Sequence, residues 1–185
     1  MGTLRIISGT AKGMRIKTVP GDSTRPITDR VKESLFNIIG NDIACSNFLD
    51  LFGGTGSVAI EALSRNAAYA RILDIHPLAI KTINENLITT RLGSKAKVIR
   101  VDSLAYIKII ADMQFDYIYI APPQYKEMWK QTILELDQNI NWLHEDGWCI
   151  VQIHPLENDE LVLSNLELFD SRKYGSTLLL FYQKK

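Results

Sequence analysis

Apolar positions along this chain fall into two alternating rhythms, short apolar runs and helix-spaced faces, separated by Gly- and Pro-bearing breaks. Arg5-Ile-Ile-Ser-Gly9 and Met14-Arg-Ile-Lys-Thr18 around Lys12-Gly13 predict a small hairpin. After the breaks at Pro20-Gly21 and Arg25-Pro26, Thr28 or Asp29 can cap a helix with Val31, Leu35, Ile38 and Ile39 on one face. From Asn47 onward the alternation becomes strict. Strands are predicted over 48–51, 69–74, 97–101, 116–120 and 148–153, with helices over 58–65, 77–90, 103–110 and 126–141 between them. Residues 166–174 and 177–182 flank Gly175-Ser176 and predict a closing hairpin. Short connections between alternating strands and helices imply right-handed crossovers, hence a parallel sheet covered on both faces and finished by an antiparallel pair. The only boundary this pattern suggests lies near residue 41, dividing an N-terminal arm, 1–40, from an alternating unit, 41–185.

Composition narrows the class. The 185 residues suit a single core without disulfide staples, and 46% hydrophobic content excludes wholesale disorder. Cys45 and Cys149 form no Cys-x-x-Cys pair, and His76, His144 and His154 show no ligand spacing, so no metal is expected. No run approaches the roughly 18 apolar residues of a membrane span, and the N-terminus lacks a signal-peptide core. A soluble cytoplasmic protein, most simply a monomer, is the expectation.

Net charge is zero, from 21 basic and 21 acidic residues, but the zero conceals a gradient. Residues 1–36 carry seven Lys/Arg against three Asp/Glu, whereas 103–171 carry three against twelve, and the last fourteen residues hold four basic groups and no acid. Local field, not the total, steers encounter with a polyanion. Arg5, Lys12, Arg15, Lys17, Arg25, Arg30 and Lys32 are therefore candidate phosphate contacts, unless they merely solvate the surface. Arg30 and Glu33 could instead pair and order the arm.

In open parallel sheets the ligand lies beyond the carboxyl ends of the strands. Those ends read Asp50-Leu-Phe-Gly53-Gly54-Thr55-Gly56, Leu73-Asp74, Val101-Asp102-Ser103 and Ile120-Ala121-Pro122-Pro123-Gln124-Tyr125. The glycine turn lacks the third glycine of a dinucleotide fingerprint and the Lys-Ser/Thr of a phosphate loop. Asp50 beside it would repel phosphate but suits a cation such as the amino group of S-adenosylmethionine. Asp74 could accept ribose hydroxyls, and Asp102-Ser103 could meet an adenine, although both aspartates also stand where a helix cap is needed. Three acids at successive strand ends, with glycines beside the first, together favour an adenosine ligand without phosphates.

Those residues carry a family resemblance. Asp50-Leu-Phe-Gly-Gly-Thr-Gly-Ser-Val-Ala-Ile-Glu61-Ala, with Arg5-Ile-Ile-Ser-Gly, Lys12-Gly-Met-Arg-Ile-Lys and Thr24-Arg-Pro-Ile-Thr-Asp29-Arg-Val-Lys-Glu33, resembles the 16S rRNA guanine-N2 methyltransferases of the RsmD type, within the class I S-adenosylmethionine enzymes. The resemblance implies a Rossmann-like α/β fold with a seven-stranded, mostly parallel sheet, S-adenosylmethionine as donor, and a guanine of 16S rRNA, within a small-subunit particle, as acceptor. By the same resemblance Gly54 and Gly56 approach the donor, Asp74 holds its ribose and Asp102 meets its adenine.

One departure stands out. The family's Asp/Asn-Pro-Pro-Tyr/Phe becomes Ala121-Pro122-Pro123-Gln124-Tyr125, which loses the side-chain acceptor for the substrate amine and shifts the aromatic by one place. The backbone carbonyls of Ala121 and Pro122 survive, and Gln124 offers an amide oxygen in compensation. Tyr125 or Trp129 could stack a flipped base, although an aromatic on a helix usually belongs to the core. Two other readings stay open: a catalytically weak RNA-binding or ribosome-assembly factor that keeps the fold, and a small-molecule methyltransferase or nicotinamide enzyme.

Overall fold

A computed structural model describes residues 4–21, 27–124 and 126–185. The candidate residues Arg25 and Tyr125 lie outside them. The first strands, β1 (Leu4–Arg5) and β2 (Arg15–Ile16), form the predicted hairpin in shortened form, extended by bonds from Ile6 N to Met14 O and from Gly13 N to Ile6 O. Helix α1 (Asp29–Ile39) follows, with the Thr28 hydroxyl accepting from Val31 N at its start and Gly40, at φ 68°, ending it. Its inward face is Val31, Lys32, Leu35, Phe36 and Ile39.

The alternating unit then runs β3 (Asn47–Asp50), α2 (Ser57–Ser64), β4 (Tyr69–Asp74), α3 (Pro77–Thr90), β5 (Ala96–Arg100), α4 (Ser103–Ile107), β6 (Phe115–Ile120), α5 (Met128–Gln138) and β7 (Leu143–Ile153), closed by β8 (Leu166–Tyr174) and β9 (Thr177–Lys184). Pro77 opens α3, where its missing N–H costs no bond. The seven strands lie in the order β5-β4-β3-β6-β7-β9-β8. Pairings are parallel from β5 through β7 and antiparallel for β9 with β7 and with β8. The expected sheet and its finishing hairpin are thus present.

Three elements differ from expectation, the first being α5, which runs Met128–Gln138 rather than 126–141 and is followed by a separate turn of 3-10 helix over Ile140–Trp142. Helix α4 stops at Ile107 rather than 110, because nothing covers Ile109 and Ile110, which stand exposed. Strand β7 starts five residues early: Leu143 pairs with Phe115 across a register shift, so the polar stretch before Gly147 runs extended instead of turning.

The sheet separates two apolar layers. One buries α1, α2 and α3 against Phe48, Tyr117, Tyr119, Ile150 and Phe181; the other buries α4 and α5 against Leu49, Ile118, Ile120 and Val151. Ile6, Ala11 and Ile16 of the hairpin and Leu35 and Phe36 of α1 belong to the first layer, so the arm shares one core with the unit that follows. Its fastening is polar as well. Glu61, wholly buried on α2, accepts from Ile7 N (2.7 Å), Ser8 N (2.9 Å) and Arg65 Nε (2.9 Å), while Lys32 Nζ lies 3.5 Å from its carboxylate and donates to Arg5 O.

Lys32 therefore corrects the sequence reading. It is 1% exposed and cannot reach a phosphate, and burial holds its pKa below the ordinary lysine value although Glu61 opposes the shift. Among the described residues the arm's ion pairs are Arg5 with Asp29 and Lys17 with Glu85, together with this buried pair; Arg30 and Glu33 form none. No helix among the described residues is long and apolar enough to cross a membrane.

Candidate active site

The chain leaves β3 for β4 on one side and, after β5, returns to β6 on the other, so the ends of β3 and β6 flank the sheet's switch point. A cavity of about 450 Å³ opens there. Its wall includes Asp50, Gly53, Gly54, Asp74, Asp102, Ser103, Ala121, Pro122, Pro123 and Gln124, which brings most of the candidate residues into one place.

Asp50 ends β3 and is 1% exposed. Its Oδ1 accepts from Phe52 N at 3.3 Å, and no Lys, Arg or His pairs with it among the described residues. Burial pushes its pKa up to about 7, the Phe52 bond opposing and the charge of Asp74 adding to the rise. A buried carboxylate without a counter-cation, facing a cavity, is matched to a cationic ligand. That fits the ammonium of S-adenosylmethionine.

The glycines do different work. Gly54, at φ 53°, lines the cavity and donates its N–H to Asp74 Oδ2 (2.9 Å). Gly56, at φ 77°, does not line it; its left-handed backbone calls for glycine, and a Cβ there would also press on Ile60 of α2 and Ile83 of α3 at 3.3 Å. Gly53 is tighter than Gly56. A Cβ there would lie 2.5 Å from Ile72 Cγ2 and 3.1 Å from the Leu73 carbonyl oxygen. Gly53→Ala should thus displace the turn and cost about 1–3 kcal/mol of stability in urea unfolding; a loss below about 0.5 kcal/mol would show that the turn absorbs a methyl group.

Asp74 Oδ1 accepts from His76 N (2.8 Å), so both carboxylate oxygens shape the loops around β4 while keeping further lone pairs for a ligand. Asp102 caps α4 through Oδ1 to Ala105 N (2.8 Å). The Ser103 hydroxyl donates to Leu51 O and ties that cap to the end of β3. Cap and cavity wall are compatible roles for one side chain here. Trp129 is 1% exposed within the core under α5, which leaves it no access to a base. Among the described residues no cluster of His, Cys, Asp or Glu could hold a metal ion.

Sequence reasoning missed Tyr119 and Gln152. Both line the cavity, and the Tyr119 hydroxyl donates to Gln152 Oε1 at 2.6 Å. Burial, with the charge of Asp50 adding, raises the Tyr119 pKa well above the usual phenol value, so it remains a donor. Gln152 was visible as the one polar residue in Cys149-Ile-Val-Gln-Ile153; Tyr119 was hidden because a tyrosine fits a buried strand equally well.

Of the basic candidates, Lys12, Arg15 and Arg30 are exposed and unpaired among the described residues. Arg5 and Lys17 are exposed within their ion pairs.

A family model described as Conserved hypothetical protein 95 matches residues 4–183. The Bacillus subtilis protein YlbH is 38% identical over 98% of this chain and all of its own length. The Haemophilus influenzae ribosomal RNA small subunit methyltransferase D is 32% identical over 98% of this chain and 94% of its own. The solved structure of yhhF from Escherichia coli superposes with a TM-score of 0.85 at 28% identity, covering 100% of this chain and 99% of that one.

Proposed function

Because the chain belongs to the Conserved hypothetical protein 95 family, the group of RsmD-type enzymes, we propose that it transfers a methyl group from S-adenosylmethionine to the exocyclic N2 amine of a guanine in small-subunit rRNA. The observation that carries this reading is Asp50, a buried carboxylate without a cationic partner among the described residues, on the wall of the switch-point cavity. Its charge would hold the ligand's ammonium, with Gly54 allowing close approach of the backbone. Asp74 would take the ribose hydroxyls, and Asp102 with Ser103 the adenine. When bound, S-adenosylmethionine supplies an activated methyl group: a nitrogen–carbon bond forms as the sulfur–carbon bond breaks, the electron pair goes to sulfur, and the surplus amine proton goes to water. The loop Ala121-Pro122-Pro123-Gln124 would present backbone carbonyls to the amine at the same wall.

The hairpin and α1 would meet RNA through Lys12, Arg15 and Arg30, and through Arg5 and Lys17 by exchange of their exposed carboxylate partners, since solvent-screened surface pairs are readily exchanged. Binding through such contacts weakens as salt rises. Nothing in the comparisons favours a non-catalytic assembly factor, and the Haemophilus influenzae relative, matched over nearly the whole chain, is named a methyltransferase.

The test is transfer of tritiated methyl to small-subunit particles lacking the modification, followed by mass spectrometry of the nucleosides. N2-methylguanosine is the expected product. Label on another base would overturn the guanine assignment while keeping RNA methylation, and absence of label from a protein that binds S-adenosylhomocysteine would overturn methyl transfer itself.

A further inference from the structure

Ala121 removes a side-chain acceptor from the corner of the cavity that the substrate amine would enter. Strand geometry shows what stands beside the gap. Parallel partners point to the same face, and the β6–β7 register runs Tyr119 with Ile150 and Ile120 with Val151, so the next residues across are Ala121 and Gln152. Ile150 and Gln152 are two apart on β7, Ala121 is the first residue past the end of β6, and Tyr119, Ile150 and Ala121 all belong to the α1–α3 layer. Asp50 is the register partner of Tyr119 on β3. Asp50, Tyr119 and Gln152 therefore line one face of three adjacent strands at the cavity.

Resting on methyl transfer to an exocyclic amine as proposed above, we infer that Gln152 accepts a hydrogen bond from that amine in place of the missing residue 121 carboxylate, with Tyr119 as its positioning residue. A carboxamide oxygen has two lone pairs. One takes the Tyr119 hydroxyl at 2.6 Å, and the other remains for an N–H of the substrate. The phenol fixes the carboxamide before substrate arrives, so less side-chain freedom is lost on binding. Gln124 also reaches the cavity, but from the loop beyond two prolines, whereas Gln152 stands on the sheet. A carboxamide cannot keep a proton, so Gln152 orients the amine and the proton still leaves to water.

The decisive comparison uses Gln152→Leu, Tyr119→Phe and Ala121→Asp, singly and combined, in methyl transfer to particles lacking the modification, with S-adenosylhomocysteine binding by calorimetry as the check on fold and donor site. Gln152→Leu should lower kcat by about 10- to 100-fold while leaving S-adenosylhomocysteine affinity within about threefold, since the lost bond is to the acceptor. Adding Ala121→Asp should restore most of that loss by supplying an acceptor from just past the end of the neighbouring strand, a rescue that general damage to the sheet would not allow. Tyr119→Phe should cost less, about 3- to 10-fold, and almost nothing in the Gln152→Leu background. The inference is overturned if an active wild type keeps its turnover within about twofold in Gln152→Leu, or if Ala121→Asp fails to restore it. A wild type that binds S-adenosylhomocysteine yet methylates nothing overturns the functional reading and this inference with it, and is distinguishable from either of those results.

Discussion

Replacing Glu61 with alanine should lower the unfolding free energy by about 3–5 kcal/mol, a large share of the roughly 5–15 kcal/mol that stabilises a domain. The reason lies in what the carboxylate serves. It satisfies the half-buried N–H groups of Ile7 and Ser8, receives Arg65 Nε, and stands 3.5 Å from Lys32 Nζ, itself almost wholly buried. Truncation leaves two backbone donors without an acceptor and one ammonium without a counter-charge. That ammonium is already held below its ordinary pKa by burial and would lose the partner that opposes the shift.

Urea unfolding of Glu61→Ala, Lys32→Met and the pair Lys32→Met/Glu61→Gln separates these contributions. The pair should be less destabilised than the sum of its singles, because it removes the cation while keeping an acceptor for the hairpin amides. A loss below about 1 kcal/mol in Glu61→Ala would show that apolar packing alone fastens the arm. Phosphate contacts would suffer too. Lys12 and Arg15 sit on the hairpin that Glu61 holds, so RNA affinity should fall in this variant before S-adenosylhomocysteine affinity does.

The role of Lys32 marks a limit of reading sequence for charge. Along the chain it is one of seven basic residues in a basic segment, indistinguishable from Lys12. Only the fold, by setting the inward face of α1 against α2, turns it into the buried partner of an acid 29 residues away. Strand and helix order was legible because apolar spacing differs between the two, and the cavity followed because parallel sheets bind ligands at their switch point. Lateral relations were not legible. That Asp50 faces Tyr119, and that Gln152 stands next to Ala121, depends on which strands are neighbours and in what register, and neither follows from spacing along one chain. The glycine turn shows the same limit at closer range: Gly54 reaches the cavity, whereas Gly56, two residues on, is held in left-handed backbone against Ile60 and Ile83 and does not line it.

Replacing Asp50 with asparagine should weaken S-adenosylhomocysteine binding at pH 8 by about 10- to 100-fold while making the ligand-free protein more stable by about 2–4 kcal/mol. The two effects share one cause. Burial raises the Asp50 pKa to about 7 in the fold, against 3.8 for the ordinary side chain. Between those values the folded state holds a proton that the unfolded state has released. Stability from this group is therefore complete below about pH 4, declines as pH rises, and is lost through about pH 7, leaving at pH 8 a buried charge that costs free energy until a cation meets it. Binding has the opposite slope. A ligand ammonium requires the ionised form, so affinity should rise about tenfold from pH 6 to pH 8 in the wild type and stay level in Asp50→Asn, whose Oδ1 can still accept from Phe52 N. Calorimetric titration with S-adenosylhomocysteine at both pH values, beside urea unfolding without ligand, measures the two slopes independently. An affinity that is flat with pH in the wild type would mean that Asp50 does not meet the ammonium, and a ligand-free Asp50→Asn protein no more stable than wild type at pH 8 would mean that the carboxylate is already compensated within the fold.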